Sequence, residues 1–521
     1  MRLKIFLFIS ILFFIISCSQ DEKPSVKVHQ QVSPVLIGKD ANPVLRIAIE
    51  VDSLGQNQTV NRMSVNTKGT TDISDIKKTD MYYTGTDSSF SAADAFGEPQ
   101  QPGETLRFSG EQLLQPGTNY FWVSYTLNPG IDLLHRVDAR LESVRLSGGI
   151  EITSVSGAQE GAKRVGVALR QRGEGGVHTY RIPGLVTTNE GTLIAAYDIR
   201  HEGSADLQGD IDVGINRSTD GGKSWEQMQV IMDMDEWGGL PEDQNGVGDP
   251  SILVDEQTGT IWVAALWTHG MPGGRAWDSS GPGLEPAETG QFVVVKSEDD
   301  GRTWSEPMNI TKQIKRPEWR LLLQGPGKGI TMGNGTLVFP AQFRAADGKP
   351  YSTIIYSEDH GASWEIGTGA KSNTTEAQVV ELSDGSLMLN MRDNRGGSRS
   401  VYTTEDLGQT WQKHPTSRSA LQEPVCQASL IQFPSPDSSR AHWLLFSNPN
   451  STEERKNMTI KLSTDDGNSW KSEHQLLLNE DRGFGYSCLT PVDDQTVGIL
   501  YEGVRELYFQ KVTLKEVMEK Q

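Results

Sequence analysis

The side chains best suited to ionic or proton-transfer chemistry are spread along this chain rather than gathered in one motif. Arg181 stands in Tyr180-Arg181-Ile182-Pro183, with Arg200 nineteen residues on and Asp206 six beyond that. Asp249 lies in Gly248-Asp249-Pro250-Ser251, and Glu376 precedes Arg392 by sixteen residues. Arg455 follows, then Tyr486 in Gly485-Tyr486-Ser487-Cys488 and Glu502 in Leu500-Tyr501-Glu502. Guanidiniums grip a carboxylate through forked, charge-assisted hydrogen bonds worth about 1.5 to 3 kcal/mol each, fixing its plane as the point charge of lysine does not. A tyrosine, with an ordinary pKa near about 10, needs a base before it can act as a nucleophile. An aspartic acid with a raised pKa can protonate a leaving group. Taken singly, each of these residues reads as a solvated or salt-bridged surface group. They acquire meaning only on a scaffold that brings distant segments to one point.

That scaffold is written in a repeat. The phrase Ser/Thr-x-Asp-x-Gly-x-Ser/Thr-Trp runs Ser218 to Trp225, Ser297 to Trp304, Ser357 to Trp364, Thr404 to Trp411 and Ser463 to Trp470, at intervals of 79, 60, 47 and 59 residues. Its aspartate can fold back onto backbone N–H groups, its glycine supplies positive φ, and its tryptophan has a broad apolar face to bury. Strand-length apolar runs such as 290–295 and 351–356 flank the turns. Repeats near 50 residues with β-type flanks predict propeller blades, and residues 156–521 are long enough for six, one of them without the phrase. The aspartates and tryptophans of the repeat are therefore read as structural. The alternating segment Leu507 to Thr513 is expected to close the ring against Arg164 to Arg170. A propeller site lies on the central axis, where inner strands from every blade converge, so its residues should be scattered in sequence.

The repeated phrase resembles the Asp-box of sialidases, and the scattered residues follow the order of the active site in that family. The resemblance covers the whole propeller. It implies that Arg181, Arg392 and Arg455 clamp the carboxylate of sialic acid, with Glu502 holding Arg181 from behind. It further implies Tyr486 as nucleophile, Glu376 as its base, and Asp206 on a mobile loop as the acid and later base, which requires a raised pKa. A neutral tyrosine suits an anomeric carbon that already bears a carboxylate, because an anionic nucleophile would be repelled. Asp249 falls near the N-acetyl and O4 side of the sugar, with Asp243 as its rival. Arg200 either reaches O4 or pairs with Asp206 or Asp198. Gln324, Gln342 and Gln427 are candidates for contacts to the glycerol tail or N-acetyl group. Trp237, His269 and Trp277, in long Gly- and Pro-rich loops, either border the aglycone or anchor those loops. The implied activity is a retaining exo-α-sialidase acting on sialylated glycoproteins, glycolipids and oligosaccharides, without cofactor or metal. Two rivals remain: a trans-sialidase, intramolecular or acceptor-dependent, and a sialic-acid-binding surface propeller without turnover.

The rest of the chain bounds this reading. Residues 1–17 carry Arg2, Lys4 and an apolar stretch too short to span a bilayer, ending in Ile15-Ile16-Ser17-Cys18. This resembles a bacterial lipoprotein signal, with Cys18 acylated, residues 18–26 as a polar tether, and a lipid anchor to the membrane. The alternative is an ordinary cleaved signal. The expected location is the outer membrane or cell surface, with the periplasm as alternative. Residues 27–155, rich in Thr, Ser, Gly and Val and free of the repeated phrase, predict a smaller β-sandwich with a corner at Leu114 to Tyr120 and Trp122 as core. That unit resembles the N-terminal domain of gut-bacterial sialidases, binding sugar or bracing the propeller. The fold class is thus all-β, a six-bladed propeller preceded by a sandwich. Only Cys426 and Cys488 remain beyond Cys18, so no disulfide framework supports the fold. The nine histidines show no metal-ligand spacing. The formal net charge of −20 excludes a nucleic-acid partner. An anionic substrate must then be drawn in by local cations against the long-range field.

Overall fold

The computed structural model describes residues 24–51, 58–153, 155–157, 161–268, 274–435 and 442–519. The N-terminal segment read as a signal, with Cys18, and the loop residue His269 lie outside the described residues. Two four-stranded antiparallel sheets form the N-terminal sandwich. One runs in the order Ser25–His29, Asn42–Val51, Gly117–Leu127, Ile76–Tyr83, and the other Glu151–Ile152, Arg140–Leu146, Thr59–Asn66, Thr105–Leu113. Buried and exposed residues alternate along Ser25–His29, as expected for sheets with one wet face. The corner before Gly117–Leu127 is pinned by buried Asn119. Its Oδ1 accepts from Gln115 N at 2.9 Å and from the Tyr83 hydroxyl at 2.7 Å, and its Nδ2 donates to Gln115 O at 2.7 Å. Trp122 is 7% exposed and belongs to the core.

Among the described residues, six further sheets make the propeller. Leu193–Arg200 and Ile211–Ser218, in the first blade, are buried at every position. Each blade is covered on both faces by its neighbours, so its strands read as continuous rather than alternating apolar runs. Each repeated phrase forms the turn after the third strand of a blade. In all five the Ser or Thr hydroxyl donates to the aspartate at 2.7–2.9 Å and accepts from the glycine N at 2.8–2.9 Å. The second Ser or Thr hydroxyl donates to the same carboxylate at 2.6–2.7 Å. The aspartate is saturated locally and faces away from chemistry.

The sixth blade has no such turn. Its inner strands Ser487–Pro491 and Thr496–Glu502 are followed by Leu507–Thr513, which pairs antiparallel with Lys163–Arg170, Val167 opposite Phe509 and Ala168 opposite Tyr508. The beginning and end of the propeller are thus woven into one sheet. Val35–Ile37 of the N-terminal region adds in parallel to the outside of Lys163–Arg170. Lys163 Nζ donates to Gln31 O and Ser33 Oγ, both at 2.7 Å, and Arg136 and Arg164 share the Glu516 carboxylate. The sandwich is thereby fastened to the closing blade.

Candidate functional site

The innermost strands deliver the site through a local irregularity. In Thr179–Thr187, Val247–Val254 and Thr374–Glu381 the register with the second strand shifts at Arg181/Gly184, Gly248/Ser251 and Thr375/Ala377. At these shifts Ile182, Asp249 and Glu376 adopt φ of 58°, 58° and 27°. Non-glycine residues pay for such conformations with strain, and a bulge re-aims a side chain out of the pleat. Three bulges therefore turn the ends of three inner strands toward the axis.

Glu502 ties the last blade to the first. Its side chain is 0% exposed; Oε1 accepts from Arg181 Nε and Ile182 N, each at 3.0 Å, and Oε2 accepts from Tyr486 N at 2.9 Å. Arg181 lies between two rings, 4.8 Å from the centroid of Phe484 and 5.2 Å from that of Tyr486. Arg455 donates to Phe484 O at 2.9 Å and Val425 O at 3.1 Å, its guanidinium 5.6 Å from the Tyr486 ring. Arg392 donates through Nη1 to Glu376 Oε2 at 2.5 Å and to the Tyr486 hydroxyl at 3.2 Å. Its buried Nε has no hydrogen-bond partner among the described residues. Three guanidiniums thus surround one tyrosine, and the Tyr486 hydroxyl donates directly to Glu376 Oε1.

These groups line a cavity of about 420 Å³ that also takes in Asp206, Asp249 and Gln342, with Leu207, Leu266, Leu321, Leu323 and Trp277 as its apolar wall. Burial pushes the Tyr486 hydroxyl well above its ordinary range, as does the neighbouring Glu376, while Arg392, Arg181 and Arg455 pull it back. Burial likewise raises Asp249 well above the carboxylate range, helped by Asp198 and Asp206. The free protein does not give Asp206 the raised pKa expected of it. Partial burial raises it, but Arg200 at 2.9 Å and Arg181 at 3.3 Å outweigh that, and the net direction is downward. Its side chain is 59% exposed on the loop after Leu193–Arg200.

Several other residues have sharper roles than their sequence context suggests. Arg200 is 1% exposed and does not line the cavity; it binds Asp198 Oδ2 through Nε at 3.0 Å and Nη2 at 2.8 Å, and shapes the Asp206 loop through Ser204 O and Ala205 O at 2.9 Å. Asp198, which the sequence offers only as a partner for Arg200, also accepts from Asp249 N at 2.8 Å through its other oxygen. Asp249, not the exposed Asp243, faces the cavity. Gln342 Oε1 accepts from Glu376 N at 2.9 Å, whereas Gln324 and Gln427 are wholly buried and brace backbone. Trp237 packs on Trp267 with ring centroids 4.1 Å apart, and of the two described tryptophan candidates, Trp237 and Trp277, it is Trp277 that borders the cavity. Cys426 and Cys488 are buried. At the foot of the Asp206 loop, His201 Nε2 lies 2.9 Å from Asp212.

Comparisons with known proteins agree with this fold. Residues 191–499 match the family model described as BNR repeat-like domain, and residues 23–149 match the N-terminal domain of BNR-repeat neuraminidase. A sialidase of Bacteroides fragilis is 45% identical over 95% of this chain and 96% of its own. The solved structure of Hadza microbial sialidase Hz136 superimposes with a TM-score of 0.89 at 45% identity, covering 94% of this chain and 99% of that one. The Ruminococcus gnavus intramolecular trans-sialidase, at 21% identity and TM-score 0.57 over 66% of this chain and 96% of its own, shares the fold.

Proposed function

The chain belongs to the BNR-repeat sialidase family, and from that premise we propose that it is a retaining exo-α-sialidase working through a covalent tyrosyl intermediate. The observation that carries this reading is the hydrogen-bonded Tyr486 and Glu376 pair set among Arg181, Arg392 and Arg455. Three guanidiniums suit the carboxylate on the anomeric carbon of sialic acid, and the unpartnered Arg392 Nε supplies a donor for it. A neutral phenol can then approach a centre that would repel an anionic nucleophile. Tyr486 attacks the anomeric carbon and its proton passes to Glu376, while Asp206 protonates the departing glycosidic oxygen. Water then cleaves the tyrosyl bond, giving up a proton to Asp206, and Glu376 returns the first proton to Tyr486. In the free protein Asp206 is held ionised by Arg200 and Arg181. A substrate carboxylate on Arg181 competes for that charge and raises the Asp206 pKa toward that of an acid.

Release of a fluorogenic phenol from its α-sialoside by wild type and Tyr486→Phe tests the site. Nuclear magnetic resonance of the first sugar released tests its stereochemistry, with the α-anomer expected. Initial release of the β-anomer refutes retention, and a 2,7-anhydro sugar or a sialylated acceptor replaces hydrolysis with transfer. We extend the proposal, on the residues around Cys18 alone, to export and lipid anchoring at the cell surface. Radiolabelled fatty acid incorporated by wild type but not by Cys18→Ala checks it.

A further inference from the structure

Behind the catalytic pair lies an arginine that touches neither the cavity nor solvent. Arg399 is 1% exposed, and its guanidinium has five N–H donors. Five acceptors surround them. Nε donates to Asn390 Oδ1 at 2.7 Å; Nη1 donates to Glu423 Oε2 at 2.9 Å and Cys426 O at 2.7 Å; Nη2 donates to Asn390 O at 3.0 Å and Glu376 O at 3.4 Å. A buried ion pair adds little net stability, because the desolvation of both charges offsets their attraction, and apolar residues of similar size do as well or better. Stability alone therefore does not account for a guanidinium here.

The acceptors account for it. Glu376, with φ of 27°, is the strained residue of the fourth blade's inner strand, and Arg399 holds its carbonyl. Cys426 follows Val425, which has φ of 54°, and the Val425 carbonyl anchors Arg455. Asn390 sits two residues before Arg392 on Leu387–Asp393, and Glu423 accepts from Asp393 N at 2.7 Å through its other oxygen. One planar fork thus fixes three backbone segments that present Glu376, Arg392 and Arg455.

We propose that Arg399 is a positioning residue for the sialidase reaction, a strut that holds the backbone of Glu376 and of Val425-Cys426 in their strained conformations so that base and arginine clamp meet at Tyr486. The inference rests on the tyrosine mechanism proposed above. Displacing reacting groups by about 1 Å costs about 100-fold in rate, so the effect should appear in turnover more than in binding.

The test compares wild type, Arg399→Ala, Arg399→Lys and Tyr486→Phe on a sialoside of an acidic phenol, whose departure needs little help from Asp206. Circular dichroism and thermal unfolding accompany the kinetics. Arg399→Ala is expected to lower kcat at least about 100-fold with KM changed less than about fivefold. Guanidinium ion, at concentrations far below those that unfold proteins, should restore at least about tenfold in Arg399→Ala and nothing in Tyr486→Phe. Lysine, which cannot span five acceptors, should recover less than the added guanidinium. If Arg399→Ala does not fold, Arg399→Met/Glu423→Gln replaces it, since this pair strands no buried charge and keeps an acceptor for Asp393 N. A folded variant with wild-type kcat, or activity lost only in proportion to the unfolded fraction and not restored by guanidinium, overturns the proposal. Full activity in Tyr486→Phe would instead overturn the tyrosine mechanism, whatever Arg399 does.

Discussion

Aspartates serve this protein in two opposite ways, and the contrast separates what holds the propeller together from what makes it work. In the turn at Asp406, one oxygen accepts from Thr404 Oγ1 at 2.8 Å and Thr410 N at 2.9 Å, and the other from Thr410 Oγ1 at 2.7 Å. All partners lie within four residues, and these bonds, led by the one from Thr410 N, hold the carboxylate down to about 2. Asp249 stands at the other extreme, in a strained bulge of an inner strand, pushed well above the carboxylate range by burial and by the charges of Asp198 and Asp206. Groups satisfied by their own turn can be repeated five times without change. Groups whose charge is left uncomfortable occur once and are supported from several blades.

Mutations can break that contrast in graded fashion. The largest effect is expected for Tyr486→Phe, with kcat down at least about 10³-fold while a sialic-acid analogue still binds, as titration calorimetry would show. Unimpaired turnover would remove Tyr486 from the role of nucleophile. Asp206→Asn should cost about 10²- to 10⁴-fold on natural glycosides and far less on a sialoside of an acidic phenol, because only the poor leaving group needs a proton. Equal losses on both substrates would show that Asp206 does not act as the acid. Arg392→Lys should lose about 100-fold in kcat/KM and weaken analogue binding, since the planar fork proposed to grip the substrate carboxylate becomes a point charge. Wild-type kinetics there would take Arg392 out of the clamp.

The smallest effect should come from the other kind of aspartate. Asp406→Asn is expected to leave kcat/KM unchanged and lower Tm by about 2 to 4 °C at neutral pH. Its sign with pH follows from linkage. The folded pKa lies below the unfolded value, so the stabilisation is present above about pH 4 and fades as pH falls toward 2. Thermal scans of the two proteins should therefore converge in acid. A change in kcat/KM for this variant would dissolve the distinction between the two sets.

The same division decided what could be seen in the sequence. The five turns were legible because every bond they make is local, and the closing pair of Leu507–Thr513 with Lys163–Arg170 followed from alternation. The site residues were visible only through a family order, because Tyr486 and Glu376 are 110 residues apart and Arg181 and Glu502 are 321 apart. Ile182 and Glu376 have positive φ without a glycine to announce it. Arg399, in Gly397-Ser398-Arg399-Ser400, has no local pattern that distinguishes it from a surface arginine. The lowered pKa of Asp206 was missed because it depends on two guanidiniums acting together, Arg200 on the strand just before its loop and Arg181 on the inner strand paired with that one.

The woven sixth blade also sets a schedule for the newborn protein. Arg181 is among the early propeller residues to be made, while Tyr486 and Glu502 are among the last, and Glu502 joins them only when the final blade docks on the first. Long-range closure of this kind is slow compared with local pairing. A chain caught during synthesis therefore has its turns but not yet Tyr486 beside Arg181. The site is whole only when the last strand of the ring has found the first.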